Sequence, residues 1–218
     1  PDDEILGCGG TLAYLRECGA KTAVLYLSEG VSSRYTNSKG EDLEFQILNR
    51  EKMAQKASKY LGFKILDFLR YKNLKMDKES VLEITKKILE KLNSFKPDII
   101  FTHHPNDLNL DHKITYEATI TACRPVDNLN IKKIFLFETP SSTDWSHKTG
   151  NFFKPNHFFN IEKFYKKKIK ALNFYRKEMR RHPHPRSVKN INALAIFRGG
   201  EVGLKYAEAF EIIRSIDF

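Results

Sequence analysis

The segment DIIFTHHPNDLNLDH, residues 98–112, indicates the architecture of this chain most directly. Its apolar start at 98–102 follows the helix-breaking Lys96-Pro97 pair and is typical of a short buried strand. A polar loop comes next, and a helix is predicted from about residue 112 to residue 123. A buried strand, a polar loop and a helix in this order are typical of one unit of a parallel α/β sheet.

The same alternation extends in both directions along the chain. The pattern predicts helices over 4–18, 44–61 and 78–95, and strands over 22–28, 63–69 and 133–138. We therefore predict an α/β fold, a Rossmann-like three-layer sandwich with a mostly parallel central sheet and helices on both faces. A loop-like segment is predicted over 139–160 and a long basic helix over 161–179, while prolines exclude a regular helix over 182–185. We expect residues 1–218 to form a single domain.

The composition is that of an ordinary globular protein with a basic surface. The 218 residues carry a formal net charge of +10, which favours anionic partners. Nucleic acid is not predicted as a partner, because the sequence contains no zinc finger and no aromatic-basic RNA-binding motif. No apolar run approaches the roughly 20 residues of a membrane helix, and no secretory leader is visible. The three widely spaced cysteines are predicted to be free thiols, as expected for a cytoplasmic protein.

Polar segments follow three of the predicted strands. They cover residues 28–34, 103–112 and 138–145. Ligands of open parallel sheets bind at the carboxyl ends of the strands, so these segments are expected to share one edge of the sheet. The residues Pro-Asp-Asp-Glu at 1–4 open the first helix and would join them if a strand preceded that helix. This convergence predicts an active site.

The residue types in these segments suit a transition metal better than calcium. The pattern D-x-N-x-D over 107–111 resembles the start of a calcium loop, but His112 and Ala118 stand where such a loop requires Gly and Glu. The Asp-His pair at 111–112 offers zinc ligands, although a structural role for the histidine is an equal alternative. Capping of the first helix is the alternative for residues 1–4. Two glycines inside that helix, Gly9 and Gly10, predict close backbone packing.

The segments 1–10 and 107–112 together resemble the PIG-L/LmbE family of zinc-dependent de-N-acetylases. The family signature is an apolar strand ending in H-P-D-D-E, a glycine-rich helix start and a later Asp-His pair. Residues 1–10 match the first part from its second position, and 107–112 match the D-x-N-x-D-H form of the second part. Residues 27–30, 138–145 and 183–187 resemble further segments, so the likeness covers nearly the whole chain.

The resemblance implies a role for particular residues. It implies Asp3 and His112 as ligands of Zn²⁺; Asp2, Asn109 and Asp111 as catalytic residues, with Asp2 as the general base; and Arg50, His103, His104 and His184 as substrate-binding residues. Asn109 stands where many members have a histidine, so one of the three substrate-binding histidines is expected to supply the missing positive charge. The family's third ligand is a histidine before Pro1, and we expect the natural chain to begin with a short apolar strand that ends in it. Within the present sequence, His103, His104 and His184 are the alternatives for the third ligand.

The resemblance also implies the reaction. We expect a hydrolase that removes the acetyl group from a small N-acetylated amino-sugar conjugate of the N-acetylglucosamine type. The main alternative is a catalytically inactive Rossmann-like module that binds a sugar or nucleotide. A basic membrane- or nucleic-acid-binding protein is a third alternative, which only the net charge supports. The sequence leaves open whether the chain forms a homo-oligomer.

Overall fold

Helices and strands alternate along most of the chain in the computed structural model, which describes residues 1–34, 40–126, 129–147 and 150–217. The helices are α1 Asp3–Glu17, α2 Gly40–Leu61, α3 Val81–Phe95, α4 Leu110–Ala122, α5 Tyr165–Leu172 and α6 Val188–Gly200. The strands are β1 Ala23–Ser28, β2 Lys64–Tyr71, β3 Ile99–His103, β4 Lys133–Phe137, β5 His157–Asn160 and β6 Ala207–Ser215. The predicted α/β class is confirmed.

The strands form a parallel pair and a mixed sheet. Strands β1 and β2 pair in parallel, and the second sheet has the order β3-β4-β6-β5. Strand β4 is parallel to β3 but antiparallel to β6. The sheet structure is therefore only partly parallel, and β6 is the strand that departs from the predicted pattern.

The chain divides into two compact units, each built from two separate segments. The first unit contains residues 1–73 and 158–208, and the second unit contains residues 74–157 and 209–218. The single domain expected over 1–218 stays a prediction. Among the described residues, no helix combines the length and the apolar character needed to cross a bilayer.

In the first unit, helix α1 packs closely on residues around α5. A Cβ atom on Gly10 would lie 2.7 Å from Cγ2 of Ile161, so only glycine fits at this position. The buried carboxylate of Glu208 accepts hydrogen bonds from the amides of Gly10 and Thr11 and pairs with Lys168 Nζ at 2.7 Å. The close packing predicted from the two glycines is thus confirmed, and it fixes the helix that begins at Asp3.

In the second unit, the core is an aromatic cluster from three neighbouring strands. The ring of Phe101 on β3 stacks on Phe135 of β4 at 5.0 Å, and Phe210 of β6 meets Phe101 edge-on at 5.2 Å. The parallel register continues to the pair His103 and Phe137, where both strands end. The loops that follow β3 and β4 consequently leave the sheet side by side.

The last third of the chain differs most from the sequence-based expectations. The long helix predicted over 161–179 is the eight-residue α5 followed by a 3₁₀ turn at Asn173–Tyr175. Lys168, within the predicted basic helix, is buried in an ion pair with Glu208. Strand β5 lies inside the segment predicted as a loop, and β6 and α6 had no predicted counterpart. The three cysteines are free, as predicted.

Candidate functional site

Two of the polar segments predicted to converge do so in the second unit. The backbone N–H of Leu108, in the loop after β3, donates to the carbonyl of Ser142, in the loop after β4, at 3.3 Å. Nδ2 of Asn106 donates to the carbonyl of His147 at 3.1 Å. These bonds hold the two loops together at the carboxyl ends of their strands.

Asp107 is the buried acceptor at the centre of these loops. Its carboxylate is 0% exposed, and Oδ2 lies 3.2 Å from Nδ1 of His112 and 2.8 Å from Oγ1 of Thr143. Oδ1 accepts the N–H of Asn109 at 2.8 Å and the hydroxyl of Ser142. Burial raises the pKa of Asp107, but the bonds from His112 and Ser142 outweigh burial, and the pKa lies below its ordinary value. Asp107 is therefore an ionised residue that orients His112.

His112 lies beside a second imidazole. The rings of His103 and His112 stack with centroids 3.9 Å apart and planes inclined by 16°. Nδ1 of His103 lies 3.5 Å from Oγ1 of Thr139. Because Asp107 contacts Nδ1 of His112, Nε2 is the atom through which His112 could coordinate a metal. Two neighbouring imidazoles, one of them oriented by a carboxylate, are typical of zinc and other transition-metal sites.

Asn109 and Asp111, both predicted to be catalytic, bond to backbone groups at the start of α4. Asn109 caps the helix, since its side chain accepts the N–H of Asp111 at 2.9 Å. Oδ2 of Asp111 accepts the N–H of Leu74 at 2.7 Å, and Oδ1 accepts the N–H of Met76 at 3.1 Å. Burial raises the pKa of Asp111. Both oxygens of Asp111 thus accept backbone amides, and its catalytic role stays a prediction. The oxygen of the Asn109 side chain is used in the cap, so the side-chain nitrogen is the group that Asn109 could offer to a substrate.

His104 lies in the interior of the second unit. Its side chain is 0% exposed, Nδ1 accepts the N–H of Asn106 at 3.1 Å, and Nε2 lies 3.4 Å from Oε2 of Glu211 on β6. Burial lowers the pKa of the imidazole. His104 therefore has the contacts of a core residue, and its role in substrate binding stays a prediction.

In the first unit, the two adjacent carboxylates Asp2 and Asp3 share one guanidinium. Nη1 of Arg186 lies 2.9 Å from Oδ2 of Asp2, and Nη2 lies 3.5 Å from Oδ1 of Asp3. Asp2 has a φ of 118°, in the left-handed region that non-glycine residues rarely adopt, and its carbonyl accepts the N–H groups of Ile5 and Leu6. Burial raises the pKa of Asp2 to about 6, against the opposing charge of Arg186. Such a carboxylate is ionised at neutral pH and can accept a proton.

Arg50 is buried next to Asp2. Its Nη1 donates to the carbonyl of Pro1 at 2.9 Å and lies 3.9 Å from Oδ2 of Asp2, while Nη2 pairs with Glu178. Burial raises the pKa of Glu178, but its hydrogen bond to Arg34 and the charge of Arg50 outweigh burial and lower the pKa. Arg50, predicted to bind substrate, thus has the contacts of a residue that supports Asp2.

The third polar segment, 28–34, lies against the start of the same unit. Gly30 has a φ of +77°, and a Cβ atom there would lie 3.2 Å from Cδ of Pro1. Arg186 is separated from Asp2 by 184 positions and was not among the predicted site residues. The neighbouring His184 was predicted, and its Nδ1 accepts the N–H of Arg186 at 3.1 Å. His184 therefore supports the turn that carries Arg186.

Comparison with known proteins gives this chain relatives that are named as deacetylases. The model of the family PIG-L, GlcNAc-PI de-N-acetylase, matches residues 1–123. The uncharacterized deacetylase YaiS of Escherichia coli K12 is 28% identical over 179 residues, which cover 79% of this chain and 84% of that protein.

Solved structures show the same fold. The N,N′-diacetylchitobiose deacetylase of Pyrococcus horikoshii superimposes with a TM-score of 0.76 at 22% identity, covering 98% of this chain and 80% of that one. The 4-carboxy-2-hydroxymuconate hydratase GalB of Pseudomonas putida superimposes with a TM-score of 0.79 at 18% identity, covering 100% and 94%. Because this fold carries both a deacetylase and a hydratase, the fold alone does not select the reaction.

The family match carries more information than the fold, because it covers more than half of the sequence and includes both motif segments, 1–10 and 107–112. It confirms the resemblance found in the sequence: this chain belongs to the PIG-L family of GlcNAc-PI de-N-acetylases.

Proposed function

We propose that this chain is a metal-dependent hydrolase that removes the acetyl group from an N-acetylated amino sugar and releases acetate and a free amine. Family membership supports the deacetylase reaction. The single observation that carries the metal dependence is the stacked pair His103 and His112, with Asp107 on Nδ1 of His112. The relative from Pyrococcus horikoshii, named as a diacetylchitobiose deacetylase, supports a substrate of the N-acetylglucosamine type.

The proposed metal ligands in the second unit are His103 and His112, whose stacked imidazoles suit zinc. Asp3 is proposed as a further ligand because the family resemblance implies it. His103 is one of the three histidines that the sequence left open as the third ligand. When bound, zinc would supply Lewis-acid activation of water and of the amide carbonyl.

Asp2 is the proposed general base. Its carboxylate takes a proton from the attacking water, whose oxygen adds to the amide carbonyl carbon. The C–N bond then breaks, and Asp2 returns the proton to the leaving nitrogen. Arg186 and Arg50 hold the carboxylate in place from two directions. The side-chain amide of Asn109 donates a hydrogen bond to the carbonyl oxygen as it becomes negative.

The inactive sugar- or nucleotide-binding module is not favoured. A module without chemistry requires neither a base with a pKa near 6 nor a histidine oriented by a buried carboxylate. The proposal includes a small-molecule substrate and a cytoplasmic location, which the free cysteines support.

Acetate release tests the proposed function. The zinc-loaded chain is incubated with glycosides of N-acetylglucosamine, and acetate and free amine are quantified together. We expect the two products in a 1:1 ratio, and the Asp3→Asn variant should release neither at a comparable rate. Binding of these glycosides without release of either product by the zinc-loaded chain would restore the binding-module alternative.

A further inference from the structure

Trp145, the single tryptophan of this sequence, is exposed on the loop that supports His112. Its side chain is 52% exposed. It stands two positions after Thr143, whose hydroxyl donates to the Asp107 carboxylate that orients His112. The N–H of Ser146 donates to the carbonyl of Thr143 at 3.3 Å, which fixes the turn around the tryptophan. The backbone of Trp145 is therefore tied to the candidate metal-binding histidine through two residues.

The partner loop exposes apolar side chains as well. Leu108 and Leu110, which flank Asn109, are 55% and 44% exposed. The N–H of Leu108 bonds to the same loop that carries Trp145. Large apolar side chains gain free energy when they leave water, so a group of them on loops beside a polar site is typical of a surface that contacts a ligand. These loops therefore offer an apolar contact next to the metal-donor pair.

We propose that Trp145 is a specificity-determining residue, on which the pyranose ring of the substrate lies while its acetamido group is turned toward His103 and His112. The inference rests on the proposed function. One face of a pyranose ring is lined by C–H groups that carry partial positive charge, and the face of an indole ring is negative. Leucine side chains can border such a face but form no hydrogen bonds to hydroxyl groups. The substrate class is thus an N-acetylated sugar bound through an apolar ring face.

Tryptophan fluorescence tests this contact without turnover, because the sequence has no other tryptophan. The methyl β-glycoside of N-acetylglucosamine is titrated into the chelator-treated wild-type chain. We expect a saturable shift of the emission maximum to shorter wavelength, since the sugar displaces water from the indole. Emission that does not change at concentrations that saturate the rate of the zinc-loaded enzyme would overturn the proposal.

Kinetics of three variants give a second, independent readout. Trp145→Ala is expected to raise KM about tenfold with kcat changed less than about threefold, because a ring contact of this kind is worth about 1.4 kcal/mol. Trp145→Phe keeps an aromatic face, so its KM should lie between the KM of Trp145→Ala and that of the wild type. Ile213→Ala is the matched control, since Ile213 is also large, apolar and 45% exposed. Its neighbours on β6, Ile212 and Arg214, pair with β4 away from the end of β4 that lies beside His103. A KM within twofold of the wild type for both Trp145 variants would also overturn the proposal.

The two readouts separate this inference from the proposed function. Acetate release with unchanged emission and unchanged KM removes the role of Trp145 and leaves the deacetylase standing. A saturable emission shift without acetate release supports the sugar contact and removes the deacetylase.

Discussion

Nδ1 of His112 lies 3.2 Å from Oδ2 of Asp107, and this contact ties a candidate metal ligand to the interior of the second unit. Asp107 is itself held by Ser142 and Thr143 from the loop after β4. An imidazole whose Nδ1–H is bound to a carboxylate presents Nε2 in a fixed direction and becomes a stronger ligand. The bond therefore links the packing of two loops to the proposed metal affinity.

Asp107→Asn is predicted to weaken metal affinity about 10- to 100-fold, because the neutral amide no longer stabilises the charge on the ligating imidazole. Competition with a chromophoric zinc chelator measures the affinity. The matched control is Asp111→Asn, which alters a second buried carboxylate near the start of α4. The bonds found for this carboxylate in the described part of the chain come from backbone amides. The control should lose stability and keep its zinc affinity within about threefold. Equal losses of affinity in both variants would remove the orienting role of Asp107.

Asp2→Asn is predicted to keep the metal and lose about 10²- to 10⁴-fold in kcat, because an amide cannot accept the proton of the attacking water. The neighbouring Asp3→Asn is the matched comparison and should lose both metal and rate, since Asp3 is the proposed ligand. Elemental analysis of both variants and their acetate release distinguish the two roles. If Asp2→Asn hydrolyses substrate at nearly the wild-type rate, another residue is the base.

Arg50→Ala is predicted to lower kcat more than it raises KM, because its guanidinium holds the Pro1 carbonyl and lies near Asp2. The variant should also lose about 1–3 kcal/mol of stability, since Glu178 loses a buried partner. Steady-state kinetics and urea denaturation measure the two effects. A raised KM with unchanged stability and kcat would instead indicate that Arg50 contacts the substrate, as the family resemblance implies.

Glu208→Gln is predicted to destabilise the fold by about 3–5 kcal/mol, because it leaves the ammonium of Lys168 buried without its counterion. Glu83→Gln is the control, since Glu83 pairs with Lys86 on the exposed face of α3 and such pairs contribute about 0–1 kcal/mol. Thermal denaturation compares the two variants. Similar midpoints for both would show that the buried pair contributes no more than the exposed one.

The parts of the fold that the sequence predicts well are those in which local pattern and burial agree. Strand β3, the loop at 103–112 and helix α4 follow from an apolar run, a polar segment and a capping residue, Asn109, that are adjacent in the chain. The close approach of Ile161 to Gly10 was likewise predictable, because a glycine in a helix interior indicates tight packing. Strand β6 was missed because charged residues such as Glu208, Glu211 and Arg214 interrupt its apolar pattern, and the burial of Glu208 depends on the distant Lys168.

The candidate site was predictable as a set of segments but not as a set of contacts. Asp107 lay within the quoted motif, yet nothing in its local sequence separates a carboxylate that orients His112 from one that binds metal. His103 and His104 are adjacent in the sequence, and the alternation of side chains along a strand end sends one toward His112 and the other toward Glu211. Arg186 reaches Asp2 across 184 positions, and such a contact is a property of the tertiary structure alone.

The central claim is that metal-dependent deacetylation takes place at His112. The most direct measurement is acetate release from an N-acetylglucosamine glycoside by the chelator-treated chain before and after addition of one equivalent of zinc, in parallel with His112→Ala. Our account predicts no release without metal, recovery after zinc is added to the wild type, and no recovery in a folded His112→Ala variant. Release by the metal-free wild type, or full recovery in the variant, would contradict it.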